Sequence, residues 1–287
     1  MLLISIHQKT SKDKRYPAIV IAVPNGAVKE QAAGLYGQRF AEKGYITIVS
    51  DCMFFGESEG MPRQQDIPYY RIEDIRGMID AIFSFPGVDS QRIYGLGICG
   101  GGGYLLSCGQ MDKRLKKIAT VSMFNTGAVR REGFQNSQVD TVLKRLHEVA
   151  SIREKELNEG TLIYNANMTE MKPEVGHQLP IEMYRESYEY YVETHFHPNS
   201  HSCFLQRNLM DLMVYDPVQF MYLLDQPLLM MVGDHADTNY MSEQAFELAI
   251  TTKEKELYYL KDATHIQTYY KESVVKEAIE KLDIFYK

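Results

Sequence analysis

The chain has 287 residues, of which 45% are hydrophobic and 24% are charged, and its formal net charge at pH 7 is -7. This length suits one large α/β domain or two small ones, and the negative charge argues against nucleic acid as a partner. Because no apolar stretch has the length of a membrane span and the 4 cysteines lack close paired spacing, we expect a cytoplasmic protein without membrane partners, disulfides or a zinc ribbon.

Short apolar segments alternate with helical patterns over most of the chain. Several of these segments are apolar at nearly every position, as strands buried on both faces are. The predicted strands are residues 2–7, 18–23, 46–50, 93–98, 118–122, 228–232 and 256–260. The predicted helices between them are residues 31–43, 72–85, 104–110, 242–250 and 272–285. The alternation predicts a doubly wound, mostly parallel α/β sheet, with the first two strands forming an antiparallel edge hairpin.

A glycine-rich turn joins the predicted strand 93–98 to the helix that follows it. Its core is Gly97-Ile98-Cys99-Gly100-Gly101, which places a thiol at the centre of the G-x-S-x-G nucleophile elbow. Glycine two positions before and after Cys99 relieves crowding around a strained residue. The N-terminus of the following helix is expected to lower the pKa of the thiol. The motif therefore predicts a cysteine nucleophile.

Two other interpretations of this turn are open. Gly95, Gly97 and Gly100 match the G-x-G-x-x-G spacing of a dinucleotide site, but that fingerprint normally belongs to the first strand–helix turn of a fold. No nucleotide or other cofactor is therefore predicted. The second alternative is that Cys99 is an ordinary buried core residue, as many free cysteines are.

An acyl-transfer nucleophile also needs N–H donors for the oxyanion that develops on its substrate. The amide of Gly100, directly after the nucleophile, is the expected first donor. The loop of residues 24–31 follows the second predicted strand and contains Gly26 and Ala27. One of these two amides is the expected second donor; the alternative is an ordinary turn before a helix.

The alternation of strands and helices stops between residues 125 and 225, where charged helical patterns and a His- and Tyr-rich segment take over. Because this interval lies between two sheet strands, we interpret it as a helical cap inserted into an α/β core of residues 1–124 and 226–287. A helical appendage used for dimerisation is the alternative. His195, His197 and His201 lack the scaffold of a zinc motif, so we predict no metal and expect them to pack the cap or line a pocket.

The last third of the chain supplies a base and an acid for a thiol nucleophile. His265 follows the last predicted strand, at the edge where the sites of doubly wound sheets gather. Asp234 and Asp237 follow the preceding strand, so the chain order is nucleophile, acid, histidine. Asp237 is preferred because it lies farther along its loop; Asp234 and, less directly, Asp216 are alternatives.

The chain resembles an α/β hydrolase, and more narrowly the dienelactone-hydrolase-like bacterial proteins with cysteine in the elbow. The resemblance covers most of the chain outside the cap and rests on residues 24–31, Asp51 with residues 55–58, residues 97–104 and residues 263–265. It implies a Cys–His–Asp triad with Cys99 and His265 in the nucleophile and base positions, and no cofactor. The family's usual acid position is Ala236 here, between Asp234 and Asp237.

The sequence thus predicts a hydrolase of a small carboxylic ester, thioester or lactone. Cys99 forms an acyl-enzyme, His265 transfers protons, and Asp237 or Asp234 holds the imidazole. Two alternatives remain: a scaffold with weak or no catalysis that binds a ligand or partner through its cap, and acyl transfer to an acceptor other than water. Self-association into a homo-oligomer also stays open.

Overall fold

A computed structural model describes the backbone of residues 2–5 and the whole of residues 14–287. Residues 6 and 7 of the first predicted strand lie outside the described residues. All seven predicted strands are confirmed in the part that is described, and β4 begins five residues earlier than predicted. They are β1 (Leu2–Ser5), β2 (Tyr16–Ala22), β3 (Ile46–Ser50), β4 (Val88–Ile98), β5 (Lys117–Val121), β6 (Leu228–Gly233) and β7 (Lys255–Leu260).

The strands form one sheet in the order β1-β3-β2-β4-β5-β6-β7. The strands β3, β2, β4, β5, β6 and β7 pair in parallel with their neighbours, whereas β1 pairs antiparallel with β3. The predicted hairpin between the first two strands is wrong, because β1 pairs with β3, Leu3 lying opposite Val49. Both edges of β2 are taken by β3 and β4, as suits its fully buried Ile19–Ile21 segment, so the outer edge of β3 is left for β1.

Helices cover both faces of this sheet, as a parallel sheet requires. The helices of the described chain, including those between β5 and β6, are α1 (Ala32–Glu42), α2 (Pro68–Phe83), α3 (Gly100–Met111), α4 (Thr126–Glu132), α5 (Val142–Glu159), α6 (Pro173–Gly176), α7 (Glu182–Tyr188), α8 (Leu209–Leu212), α9 (Asn239–Leu248), α10 (Gln267–Tyr270) and α11 (Glu272–Tyr286). α1 packs with α10 and α11, and α2 packs with α3. In the described part of the chain, no helix combines the length and the apolar character needed to cross a bilayer.

The interval between β5 and β6 is helical, as predicted. It contains α4 to α8, a π-helical turn that continues α7 (Glu189–Thr194) and several short 3-10 turns. Among its described residues, the β structure is one isolated bridge between Tyr164 and Leu205. Residues of this interval line one pocket together with Cys99, so the interval lies over the carboxyl edge of the sheet. The division into core and cap domains stays a prediction.

Candidate active site

Cys99 stands at the sharp bend between β4 and α3, with φ 54° and ψ -125°. A non-glycine residue with this backbone is strained by about 1–3 kcal/mol and persists only when its surroundings fix it. Its N–H donates to the Val121 carbonyl at 3.0 Å, and its carbonyl accepts from Gly102 and Phe124, each at 2.9 Å. Three backbone hydrogen bonds therefore hold the strained elbow that the sequence predicts.

The glycines around the elbow are required by close backbone approach. A Cβ on Gly97 would lie 2.5 Å from the Cα of Gly102, and one on Gly101 would lie 2.6 Å from the Val23 carbonyl oxygen. Any larger side chain would push the start of α3 away from β2 and β4. The sequence interpretation of these two glycines is therefore confirmed.

The thiol of Cys99 is buried, and burial raises its pKa. In the thiolate form, hydrogen bonding from the Tyr269 hydroxyl and from the amides of Gly100 and Asn25 opposes this effect, as does the charge of Arg71, but burial dominates. The expectation that the helix N-terminus gives a thiol of low pKa is therefore wrong for this structure. At neutral pH the resting group is the protonated thiol.

Two backbone amides face the sulfur, those of Gly100 and Asn25. The Asn25 side chain fixes its own loop, since its amide nitrogen donates to Thr126 Oγ1 at 2.8 Å and its oxygen accepts from Arg71 at 3.1 Å. The structure thus brings one predicted donor, Gly100, to the sulfur.

The structure places the other two predicted donors, the amides of Gly26 and Ala27, differently from the amide of Asn25. The Ala27 amide donates to the Pro24 carbonyl at 3.2 Å. Gly26 lines the pocket, and its carbonyl accepts from the His201 amide at 3.1 Å and from Ser200 Oγ at 2.9 Å. The sequence analysis missed Asn25, although it directly precedes Gly26 in the same loop.

His265 is fully buried at the position predicted for it, after β7. Its Nε2 lies 2.9 Å from the Tyr269 hydroxyl, and its Nδ1 lies 2.6 Å from Thr238 Oγ1. Tyr269 also contacts Cys99, so its hydroxyl stands between the thiol and the imidazole. Burial lowers the pKa of His265 to about 3, and the ring is therefore neutral over the physiological range.

Neither predicted acid is a hydrogen-bond partner of His265. Asp237 accepts from the Met183 amide at 3.2 Å, and burial raises its pKa. Asp234 accepts from the Ala263 amide at 3.1 Å. Asp216 accepts from Asn125 and pairs with Arg131. Among residues 14–287, His265 has no carboxylate partner; Thr238, the residue after Asp237, occupies Nδ1.

Tyr269 and Thr238 were not found from the sequence. The signal for Tyr269 was its spacing: it lies four residues after His265, which stands just before α10, and this spacing brings two side chains to one side of a helical turn. Thr238 had no such signal, because a threonine beside an aspartate in a loop is more often a turn or capping residue.

Cys99 and Tyr269 both line one pocket. Its lining comes from the elbow, from the loops after β2 and β3, and from the interval between β5 and β6. His201 lines it, whereas His195 stacks on Tyr190 with ring centroids 4.4 Å apart in a separate outer groove. His197 also lines the outer groove, so each of the three histidines packs on a neighbour or lines a pocket, as expected.

Comparison with known proteins gives the family of the chain. No family model matches it. The uncharacterized protein YcjY of Escherichia coli is 33% identical over 282 residues, which are 97% of this chain and 90% of YcjY. The uncharacterized protein PA2218 of Pseudomonas aeruginosa is 32% identical over 261 residues, 89% of this chain and 68% of PA2218. The chain belongs to the family of YcjY and PA2218.

The fold of this family is that of the α/β hydrolases. The crystal structure of PA2218 superposes with a TM-score of 0.87 at 28% identity, over 99% of this chain and 93% of that one. A monoacylglycerol lipase of Paleococcus ferrophilus shares the fold, with a TM-score of 0.64 at 15% identity over 100% of this chain and 98% of the lipase. Over a shorter stretch, the thiohydrolase aneE of Aspergillus aculeatus is 30% identical, covering 47% of this chain and 42% of aneE.

Proposed function

We propose that the protein hydrolyses carboxylic thioesters and esters, lactones included, through an acyl-enzyme on Cys99. One observation carries the proposal: the sulfur stands on a strained elbow, faces the amides of Gly100 and Asn25, and opens onto a pocket. Acyl transfer needs this combination, because the attacking atom must be exposed to the carbonyl while fixed donors receive the charge that develops on the carbonyl oxygen.

Proton transfer runs from Cys99 through Tyr269 to His265. As the sulfur lone pair bonds to the carbonyl carbon, the thiol proton passes to the Tyr269 oxygen, and the Tyr269 proton passes to Nε2. The carbonyl π electrons move to the oxygen, which the amides of Gly100 and Asn25 bind. Collapse breaks the bond to the leaving thiol or alcohol, which takes the proton back along the same path. Water then attacks the acyl-enzyme as one of its protons passes through Tyr269 to Nε2. The carbon–sulfur bond breaks, the carboxylic acid is released, and the sulfur of Cys99 takes the proton back along the same path.

The buried imidazole determines how this relay operates. Without a carboxylate partner, an isolated imidazolium at His265 is costly. The proton therefore resides on Nε2 only while the substrate oxygen carries negative charge. Thr238 accepts from Nδ1–H in this scheme, so that Nε2 is free to receive the proton.

Thioesters are the substrates that suit this site best. Transfer of an acyl group from one sulfur to another is close to balanced in free energy, whereas transfer from an alcohol oxygen to sulfur is uphill. A neutral resting thiol with a weak buried base adds little driving force to the transfer from an alcohol oxygen. The partial similarity to a protein named a thiohydrolase supports this order of preference.

Thiol release from short-chain acyl thioesters, beside p-nitrophenyl esters and lactones, tests the proposal. We expect turnover of thioesters, an acyl adduct on Cys99 by mass spectrometry, and loss of both in Cys99→Ala. Cys108→Ala, which removes a buried thiol outside the pocket, is the matched control and should keep the activity. Wild-type rates in Cys99→Ala would refute the proposal. Added amines or alcohols would divert the acyl group if the protein is an acyltransferase.

A ligand-binding scaffold is the second candidate. It is favoured by the complete burial of His265 behind Tyr269 and by the missing carboxylate partner. A scaffold would bind small acyl compounds in the pocket while Cys99 formed no acyl adduct at any pH. Formation of the adduct without turnover would place the defect in deacylation and would keep the nucleophile assignment.

A further inference from the structure

The pocket around Cys99 holds one positive charge that no carboxylate of the described residues pairs with. Among the described residues that line it, Asp66 and Arg130 are the acidic and the basic side chains. Asp66 pairs with the buried Arg71 at 3.3 Å. Burial lowers the pKa of His201, the other group in the lining that could be cationic, and keeps its ring neutral.

Arg130 has a guanidinium that no described residue satisfies. Its Nε is buried without a hydrogen-bond partner, and the group forms no ion pair within residues 14–287. The Phe204 ring holds it in place, with the guanidinium carbon 4.8 Å from the ring centroid.

The neighbouring Arg131 on α4 behaves differently. It donates to the carbonyls of Met213 and Tyr215 and pairs with Asp216 at 3.3 Å. Arg131 of this short helix is thus used by the fold, while Arg130 lines the pocket and keeps a buried Nε without a hydrogen-bond partner. A partly buried cation without partners is costly, and a ligand that supplies acceptors removes that cost.

Two tyrosine hydroxyls add donors to the same wall. Tyr184 and Tyr191 line the pocket, and neither hydroxyl has a hydrogen-bond partner among the described residues. Burial raises the pKa of both hydroxyls, so they remain protonated and able to donate.

We infer that the acyl substrate carries a carboxylate away from its scissile carbonyl, and that Arg130 binds this carboxylate with help from Tyr184 and Tyr191. A single excess cation matches a monoanion better than a phosphate dianion, and the planar guanidinium fork matches the two oxygens of a carboxylate. The inference rests on the proposed function for the placement of the carbonyl at Cys99, whereas carboxylate binding itself requires no turnover.

Binding to Cys99→Ala, which has no nucleophile, tests the inference apart from catalysis. Calorimetric titration would compare monomethyl glutarate with methyl pentanoate, which replaces the carboxylate by a methyl group. We expect tighter binding of the acid by at least about tenfold, and loss of that preference when Arg130→Gln is added. Arg130→Lys should keep part of it. Lys144→Gln, which removes the same charge from an exposed position on α5, should leave both affinities unchanged.

The outcomes separate this inference from the proposed function. Equal affinity for the two ligands, no binding of the acid, or an equal loss of both affinities in Arg130→Gln would overturn the carboxylate site. Arg130-dependent binding of the acid supports the site even if Cys99 never forms an adduct, a result that would refute only the hydrolase. With the wild-type protein, the corresponding p-nitrophenyl esters should show the same Arg130-dependent preference in kcat/KM, mainly through KM.

Discussion

The hydroxyl oxygen of Thr238 lies 2.6 Å from Nδ1 of His265, and both residues are buried. A hydroxyl fixes the orientation of the ring as a carboxylate would, but it brings no negative charge to stabilise an imidazolium. The base of the proposed relay is therefore well positioned and weak. The chemistry must then depend on the donors around the substrate oxygen and on the relay through Tyr269.

Replacing Thr238 tests this view of the base. Thr238→Val keeps the shape but leaves Nδ1 unpartnered, which should cost about 1–3 kcal/mol of unfolding free energy and lower kcat. Thr238→Asp places a carboxylate beside the ring and should raise the pKa of His265, measurable by NMR titration of the imidazole, and raise kcat roughly tenfold. An unchanged His265 pKa in Thr238→Asp would mean that the two side chains do not interact as the structure indicates.

Removal of the Tyr269 hydroxyl should interrupt the relay. Tyr269→Phe keeps the ring but breaks the hydrogen bond to His265 Nε2 and the contact with Cys99. Because that contact lowers the thiol pKa, we expect the pKa of Cys99 to rise, as measured by the pH dependence of iodoacetamide alkylation, and kcat to fall by about 100-fold. Tyr270→Phe, on the same short helix and 39% exposed, is the control. If both variants behave alike, proton transfer does not pass through Tyr269.

The buried imidazole should also make stability depend on pH. Folding lowers the pKa of His265 from 6.5 to about 3, so between these values the unfolded chain binds a proton that the folded chain excludes. Stability is therefore lost as the pH falls through this window, by roughly 4 kcal/mol at its lower end, at about 1.36 kcal/mol per pKa unit.

Urea unfolding between pH 4 and pH 7.5 measures this dependence. We expect His265→Gln to flatten the decline of the unfolding free energy at low pH, since glutamine does not titrate. His147→Gln, at an exposed position, should leave that decline in place. An unaltered decline in His265→Gln would assign the acid sensitivity to other groups.

Local patterns in the sequence were sufficient for the sheet and for the elbow. Near-continuous apolar runs located the strands, and the glycines around Cys99 located the bend, because both depend on short-range sterics. The thiol pKa could not be predicted this way, since it depends on how completely the surrounding residues bury the sulfur. The same holds for Arg130, whose missing partner is visible only when the residues that share its pocket are known. Loop spacing placed the aspartates near the site, but it could not show that Asp237 turns to the Met183 amide while Thr238 takes the ring nitrogen.

The elbow also predicts a contrast between two glycines. Alanine at Gly101 would place its Cβ 2.6 Å from the Val23 carbonyl oxygen. The backbone at Val23 could make room for this Cβ only if α3 moved away from β2. We expect Gly101→Ala to lower the unfolding free energy by about 2–3 kcal/mol and to abolish activity.

Gly77→Ala is the matched control, because this glycine lies on the exposed side of α2 with nothing within 4 Å of a new Cβ. Alanine there should stabilise the helix by about 0.5–1 kcal/mol and leave activity unchanged. Denaturant unfolding and thioester turnover measure both variants. Equal stability of the two proteins would contradict the close approach of α3 to β2, and with it the geometry that holds Cys99 in its strained conformation.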